Sequence, residues 1–297
     1  MCLVRDAKHD YTYDGEGNLT SKKVRASGAT TRFVWDSEHR LVELVKPSGA
    51  TVRYRYDAAG MRVQATRSSD GRVTTWGYNG SSVAAVWRQT AGEPRVLVST
   101  FVTAPSGDPL QSTSDGETVY SMLDGLGSVT GTLDASGAVA SSSAYSVFGQ
   151  PAGTGAVGLG DAVGYTGHAW DGDAGMHFAR ARWYDAGVGR FASEDPVDAM
   201  NLYSYVGNQP LDYHDPTGEF AVEVAATSQF GADFAKATQY VAVPAFGALT
   251  LLPQLIGMGK HGVNRACLWD TTVTASFWAI TFESLRAGGS CNAGGGA

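Results

Sequence analysis

An internal repeat constrains this 297-residue chain more than any other feature. Four segments share one pattern: Tyr11–Leu19 (YTYDGEGNL), Arg32–Leu41 (RFVWDSEHRL), Tyr54–Val63 (YRYDAAGMRV) and Thr75–Val83 (TWGYNGSSV). Each runs from aromatics into Asp or Asn, through small or polar residues, to an apolar residue. The pivots Asp14, Asp36, Asp57 and Asn79 lie 22, 21 and 22 residues apart. A fixed step of that size marks a repeat architecture, in which a unit buries its apolar face only against its neighbours. Alternation such as Arg53-Tyr54-Arg55-Tyr56 has period two and predicts a strand with one buried face. The Asp-x-x-Gly that follows predicts a turn, because the Asp side chain accepts backbone N–H groups and Gly supplies positive φ. The apolar residue after it starts a return strand, so each unit is a hairpin. A lone hairpin is marginal in water, which requires the units to pair side by side.

Composition agrees. Charged residues make up 17% and apolar residues 43%, with 38 glycines, which suits β-structure with tight turns and is too apolar for a disordered chain. The net charge of −7 and the lack of a strong basic run argue against nucleic acid as a main partner. The locally basic stretch from Lys22 to Arg72 alternates with aromatics and acids and reads as the solvent face of strands. Three cysteines are too few for a disulfide framework, and the spacing of Cys267 and Cys291 does not decide whether they pair. No Cys/His spacing suits zinc, and neither a metal nor a cofactor is expected. The first ten residues contain no apolar signal core. With repeats already running at residue 11, the chain reads as a fragment of a longer one.

From Val96 to Gln150 the pattern continues less regularly, with Asp turns at Asp124–Gly127 and Asp134–Gly137. Residues Pro151 to Gly160 are rich in Gly and Ala and read as a loop.

The period and its aromatic-Asp pivot resemble the YD repeats of the RHS family. So do the aromatic-x-x-Asp-x-x-Gly-Ser strand pair and the closing Tyr145–Gly149. The most specific likeness spans Gly164 to Gly218, which resembles the RHS repeat-associated core along its whole length. The matching pieces are Gly164-Tyr165-Thr166-Gly167, Ala179 through Asp185 (ARARWYD), Gly189-Arg190-Phe191, Asp195-Pro196, Asn201 through Tyr205 (NLYSY), Asn208-Gln209-Pro210 and Asp215-Pro216-Thr217-Gly218. Ala186 departs from the family's usual Pro at a position that shapes a turn. The resemblance implies a mainly β fold. YD-repeat hairpins over residues 1–95 would form a coiled sheet, a partial shell. Divergent repeats and connecting hairpins follow over 96–163, an RHS core plug over 164–218, and a short, helical and apolar variable tail over 219–297. Within the core segment, Trp170, Phe178, Trp183, Tyr184, Phe191, Tyr203 and Tyr205 offer large areas for burial, and the arginines among them need carboxylate partners if buried.

The resemblance also implies chemistry. In the RHS core, two aspartates at the matching Asp-Pro sites, here Asp195 and Asp215, form an aspartyl-protease-like pair. It cuts the chain just after the final Asp-Pro-x-Gly, between Gly218 and Phe220, and Arg190 is the expected supporting charge. The activity is a single-turnover self-cleavage. Two neighbouring carboxylates share a proton, so one serves as base towards water while the other donates to the carbonyl oxygen. The residues alone also fit a plainer role, since Asp before Pro often starts a turn and caps backbone amides. Cleaving members usually carry Leu after the last Gly. Glu219 stands there instead, adding a negative charge beside the pair. The partners implied are the chain's own tail inside the shell, an immunity protein and a secretion apparatus, with the protein secreted or at the bacterial cell surface.

After Gly218 the repeat signature stops. Phe220 to Lys236 reads as helix, and residues 237–259 carry no charge. That length permits a membrane span, but Pro244, Pro253 and three glycines interrupt it. The apolar run from Cys267 to Leu285 is broken by Asp270, and the Gly-rich end is a flexible terminus. No Ser/His/Asp order, phosphate loop or metal spacing marks an enzyme in the tail. Two other readings therefore stay open. One is a surface module that stacks carbohydrate on Tyr54, Tyr56, Trp76 and Trp87, residues that fit the shell interior better. The other is a membrane-active toxin tail.

Overall fold

Each pivot aspartate closes its turn in the same way. Asp14 Oδ1 accepts the N–H groups of Glu16 and Asn18, Asp36 Oδ1 those of Glu38 and Arg40, and Asp57 Oδ1 those of Ala59 and Met61, all at 2.8–3.0 Å. The divergent turns repeat the geometry: Asp124 holds Leu126 and Ser128, and Asp134 holds Ser136 and Ala138. The residue three beyond the pivot takes left-handed backbone, as Gly60 does with φ 77°. In the second unit His39 occupies that place at φ 58°.

The fold is taken from a computed structural model that describes residues 2–152, 158–160, 162–196 and 201–223. Among these the turns join thirteen strands into one antiparallel sheet whose spatial order follows the sequence. The first eight are β1 (His9–Tyr13), β2 (Leu19–Val24), β3 (Thr30–Trp35), β4 (Leu41–Val45), β5 (Thr51–Tyr56), β6 (Arg62–Arg67), β7 (Val73–Asn79) and β8 (Ser82–Gln89). The divergent half supplies β9 (Val96–Thr103), β10 (Pro109–Ser114), β11 (Glu117–Leu123), β12 (Val129–Leu133) and β13 (Val139–Ser142). The repeats and the less regular half thus continue one meander.

The two aromatic positions of each unit serve different ends. Those three before the pivot, Tyr11, Phe33, Tyr54 and Trp76, are buried. Those directly before it point a polar group at the preceding unit. Trp35 Nε1 donates to the Leu19 carbonyl at 2.7 Å, Tyr56 Oη to Leu41 at 2.7 Å and Tyr78 Oη to Arg62 at 2.9 Å. Tyr145 Oη reaches the Val129 carbonyl in the same manner at 3.1 Å. An aromatic with a polar handle both fills the wall and ties one hairpin to the last.

The core segment packs on this wall. A short pair, β14 (Ala144–Tyr145) and β15 (Pro151–Ala152), leads to a four-stranded sheet of β16 (Ala169–Asp171), β17 (Met176–Ala179), β18 (Arg182–Asp185) and β19 (Arg190–Phe191). Met176, Phe178, Trp183 and Ala192 share one buried cluster with Tyr11, Leu19, Phe33, Leu41, Leu44, Val52 and Tyr54 of the wall. All side chains of β17 and β18 are buried, on both faces of the strand. Ion pairs fasten the plug: Lys22 to Asp185, and Lys46 and Arg67 to Asp173, each at 2.5 Å, and Arg62 to Asp171 at 2.7 Å.

Two expectations need correction. Pro151–Ala152, expected in a loop, forms β15. The segment expected to start a helix at Phe220 instead places Val222–Glu223 as β21, paired with β20 (Tyr213–His214). The rest of that helix, the uncharged stretch 237–259, the run 267–285 and Cys267 with Cys291 lie outside the described residues. Among the described residues no helix is long and apolar enough to cross a membrane, and no cluster of His, Cys, Asp and Glu could hold a metal.

Candidate functional site

Arg182 opens β18, inside a strand that is otherwise packed with apolar and aromatic surface. Its side chain is 3% exposed, so its charge must be met by partners within the fold. It meets both Asp-Pro carboxylates. Nη1 lies 2.8 Å from Asp195 Oδ2 and Nη2 lies 3.6 Å from Asp215 Oδ2. The guanidinium sits over the Phe191 ring, 3.6 Å from its centroid, and Nη1 also donates to the Leu202 carbonyl. The remaining donor, Nε, points at the Gly218 carbonyl. One buried cation therefore joins two aspartates and the last carbonyl of the Asp-Pro-x-Gly motif.

Each aspartate is placed by its own backbone. Asp195 follows β19, where its N–H donates to the Leu202 carbonyl. Asp215 follows β20, and its Oδ1 gathers the N–H groups of Thr217, Gly218, Glu219 and Phe220 at 2.8–3.3 Å. The segment from 217 to 220 is wrapped around that oxygen. Burial pushes the Asp215 carboxyl up from its ordinary value, against the pull of the Gly218 amide and the Arg182 charge. Burial likewise pulls Arg182 down, opposed by Asp195, Asp215 and Glu219. Gly218 has φ 80°, and a Cβ there would stand 2.2 Å from the Ala179 carbonyl oxygen, so only glycine lets the chain pass this close.

A solvent-open cavity borders the group, lined by Arg182, Asp195, Ser204, Asp215, Glu219 and Phe220 among others. Asp195 and Asp215 are thus brought together. Arg190, at the head of β19, stands opposite Asp185 on β18 and bridges to Ser204. Arg182 has ion pairs to both carboxylates. Sequence reasoning counted it among the arginines that need carboxylate partners if buried, but gave the supporting role to Arg190. The departure at Ala186 is absorbed in packing, since Ala186 is buried beside Tyr184 and Phe191. Of the four aromatics considered for carbohydrate, Tyr54 and Trp76 are buried in the wall, and Tyr56 is engaged with Leu41.

A known family model, that of the Teneurin YD-shell, matches residues 2–211, a range that takes in the meander and Asp195 and ends before Asp215. The chain belongs to the Teneurin YD-shell family. Among curated relatives it is 28% identical over 232 residues to the tRNA3(Ser)-specific nuclease WapA of Bacillus spizizenii, a match covering 73% of this chain and 9% of the relative. It is 26% identical to the double-stranded DNA deaminase toxin A of Burkholderia cenocepacia, over 70% of this chain and 17% of that protein. The chain therefore spans less than a fifth of either relative. Among solved structures, the TcdB2-TccC3-Cdc42 crystal structure superposes with a TM-score of 0.52 at 18% identity, covering 71% of this chain and 13% of that one. That likeness concerns the fold alone.

Proposed function

We propose that this YD-shell chain carries the segment beyond Gly218 as cargo and frees it by cutting its own backbone at Gly218–Glu219. The observation that carries the proposal is the buried Arg182, which holds Asp195 and Asp215 on two nitrogens and the Gly218 carbonyl on the third. Asp195 takes a proton from a water entering the cavity, and the water oxygen bonds to the Gly218 carbonyl carbon. Arg182 Nε stabilises the oxyanion that develops there. The Glu219 nitrogen lies 3.1 Å from Asp215 Oδ1, and Asp215, the member of the pair whose carboxyl burial pushes upward, is assigned the proton the pair shares and delivers it to that nitrogen as the C–N bond breaks. The products are a Gly218 carboxyl and a Glu219 amine. The scissile bond and both carboxylates belong to one chain, so only the water has to enter.

Glu219 sets the rate. Its charge acts on Arg182, and a carboxylate beside that cation weakens its hold on the carbonyl. The nuclease and toxin names of two relatives support a released effector, a place outside the producing cell or on its surface, and a cognate immunity protein together with export machinery as partners. The chemistry of the effector itself is left to residues 219–297.

The test is the intact mass of the purified full chain after expression. Two species are expected, one of them the 79 residues after Gly218. Asp195→Asn and Asp215→Asn each leave a single, whole species, and Glu219→Leu speeds the cut. A wild-type chain that remains whole, and stays whole as Glu219→Leu, would sink the proposal.

A further inference from the structure

Arg180 holds a backbone conformation that suits glycine. β17 and β18 are joined by the two-residue turn Arg180–Ala181, in which Arg180 takes φ 60°. A hairpin turn with positive φ at its first central residue ordinarily uses Gly, and a long side chain pays a conformational penalty there. Such an outlier persists where the side chain is needed, and the Arg180 guanidinium has two acceptors in different parts of the molecule. Nε donates to the Ser81 carbonyl at 3.3 Å, in the turn between β7 and β8 of the wall. Nη1 donates to the Pro216 carbonyl, two residues before Gly218.

The same turn continues the grip. The Ala181 N–H donates to the Thr217 carbonyl at 3.0 Å, and Arg182 Nε donates to the Gly218 carbonyl. Three consecutive hairpin residues thus hold three consecutive carbonyls of the segment that ends at the cut. Arg180 alone among them also reaches the wall.

We propose that Arg180 is a positioning residue that anchors the scissile segment to the β7–β8 turn, so that cutting requires the wall and the plug to be docked. This rests on the self-cleavage reading above. Arg180 touches neither the reacting carbonyl nor the water, and acts only by fixing where Gly218 lies.

The test uses the full chain with Arg180→Gly, which relieves the left-handed strain and removes both hydrogen bonds, and Arg180→Lys, which restores a cation able to reach one acceptor. In an Asp195→Asn background, where the chain stays whole, amide hydrogen exchange at residues 217–220 is expected to rise at least tenfold in Arg180→Gly and to recover partly in Arg180→Lys. The melting temperature should hold or rise. Without the Asp195 change, the released fragment is expected to appear at least tenfold more slowly in Arg180→Gly. Unchanged exchange at 217–220, or unchanged fragment release alongside faster exchange, overturns the anchor. A wild-type chain that never cuts overturns the cleavage reading separately, and the exchange experiment is read independently of it.

Discussion

At position 62 the third repeat unit carries arginine where the first two carry Leu19 and Leu41, five residues after the pivot. All three are buried, Arg62 at 1% exposure. Its guanidinium pairs with Asp171 at 2.7 Å and faces the rings of Tyr54, Trp76, Phe178 and Trp183, with the Trp76 centroid 4.2 Å away. Removing one partner of a buried pair leaves an uncompensated charge, so Arg62→Met is expected to cost roughly 3–5 kcal/mol in urea unfolding. Adding Asp171→Asn should recover part of that loss, because the amide is neutral. A double variant no more stable than the single one would place the cost in packing. Tyr56 gives a smaller case. Its hydroxyl donates to the Leu41 carbonyl and accepts from Trp183 Nε1 at 3.1 Å. Tyr56→Phe orphans both partners and is expected to cost about 1–3 kcal/mol by the same measurement.

At the scale of elements, the hairpins were legible because each carries its own instructions. Asp at the pivot, a left-handed residue three later and alternating aromatics are all local, and Asp57→Ala should therefore weaken one turn by about 1–2 kcal/mol through the two N–H groups it no longer holds, with the other units unchanged in hydrogen exchange. The ties between units were not legible. Nothing local says that Tyr56 reaches Leu41, because the contact depends on how neighbouring hairpins are staggered. The candidate site divides likewise. Asp195 and Asp215 announced themselves by motif, whereas Arg182 was one of three arginines expected to need carboxylate partners, and which of them faces the pair depends on β18 burying both of its faces. β15 was missed because its pairing with β14 is set by chain folding at Tyr145 and not by a strand-like pattern of its own. The helix expected from Phe220 rested on Ala-rich spacing, and the first residues gave way to pairing of Val222–Glu223 with Tyr213–His214.

For the whole molecule, the wall and the plug are held by paired charges that respond to acid at different points. Burial would raise the Asp173 carboxyl, but hydrogen bonds and charge from Lys46 and Arg67 outweigh it and hold it below its ordinary value. Its stabilisation is full above the unfolded carboxylate range and is lost only as pH falls through that lowered value. The plug also contains histidines that fold neutral. Burial, then the Arg180 charge, keeps His168 well below 6.5. Burial lowers His177 to about 4, against its bond to the Gly149 carbonyl. As pH falls from 6.5 towards 4, the unfolded chain binds a proton at position 177 that the folded chain refuses. Stability therefore falls across that window and is flat above it. For His177 alone the gap amounts to roughly 3 kcal/mol at its lower end. Urea unfolding at pH 7.5 and pH 5.0 should show the wild type losing stability on acidification. His177→Phe keeps the ring among Trp170, Tyr165 and Tyr184 but cannot titrate, so its loss between the same two pH values should be smaller by about 1–2 kcal/mol. Equal losses in the two proteins would show that the acid response comes from His168 or the carboxylates instead. Because both histidines lie in the plug, the cost of acid falls on the element that holds Gly218 in place.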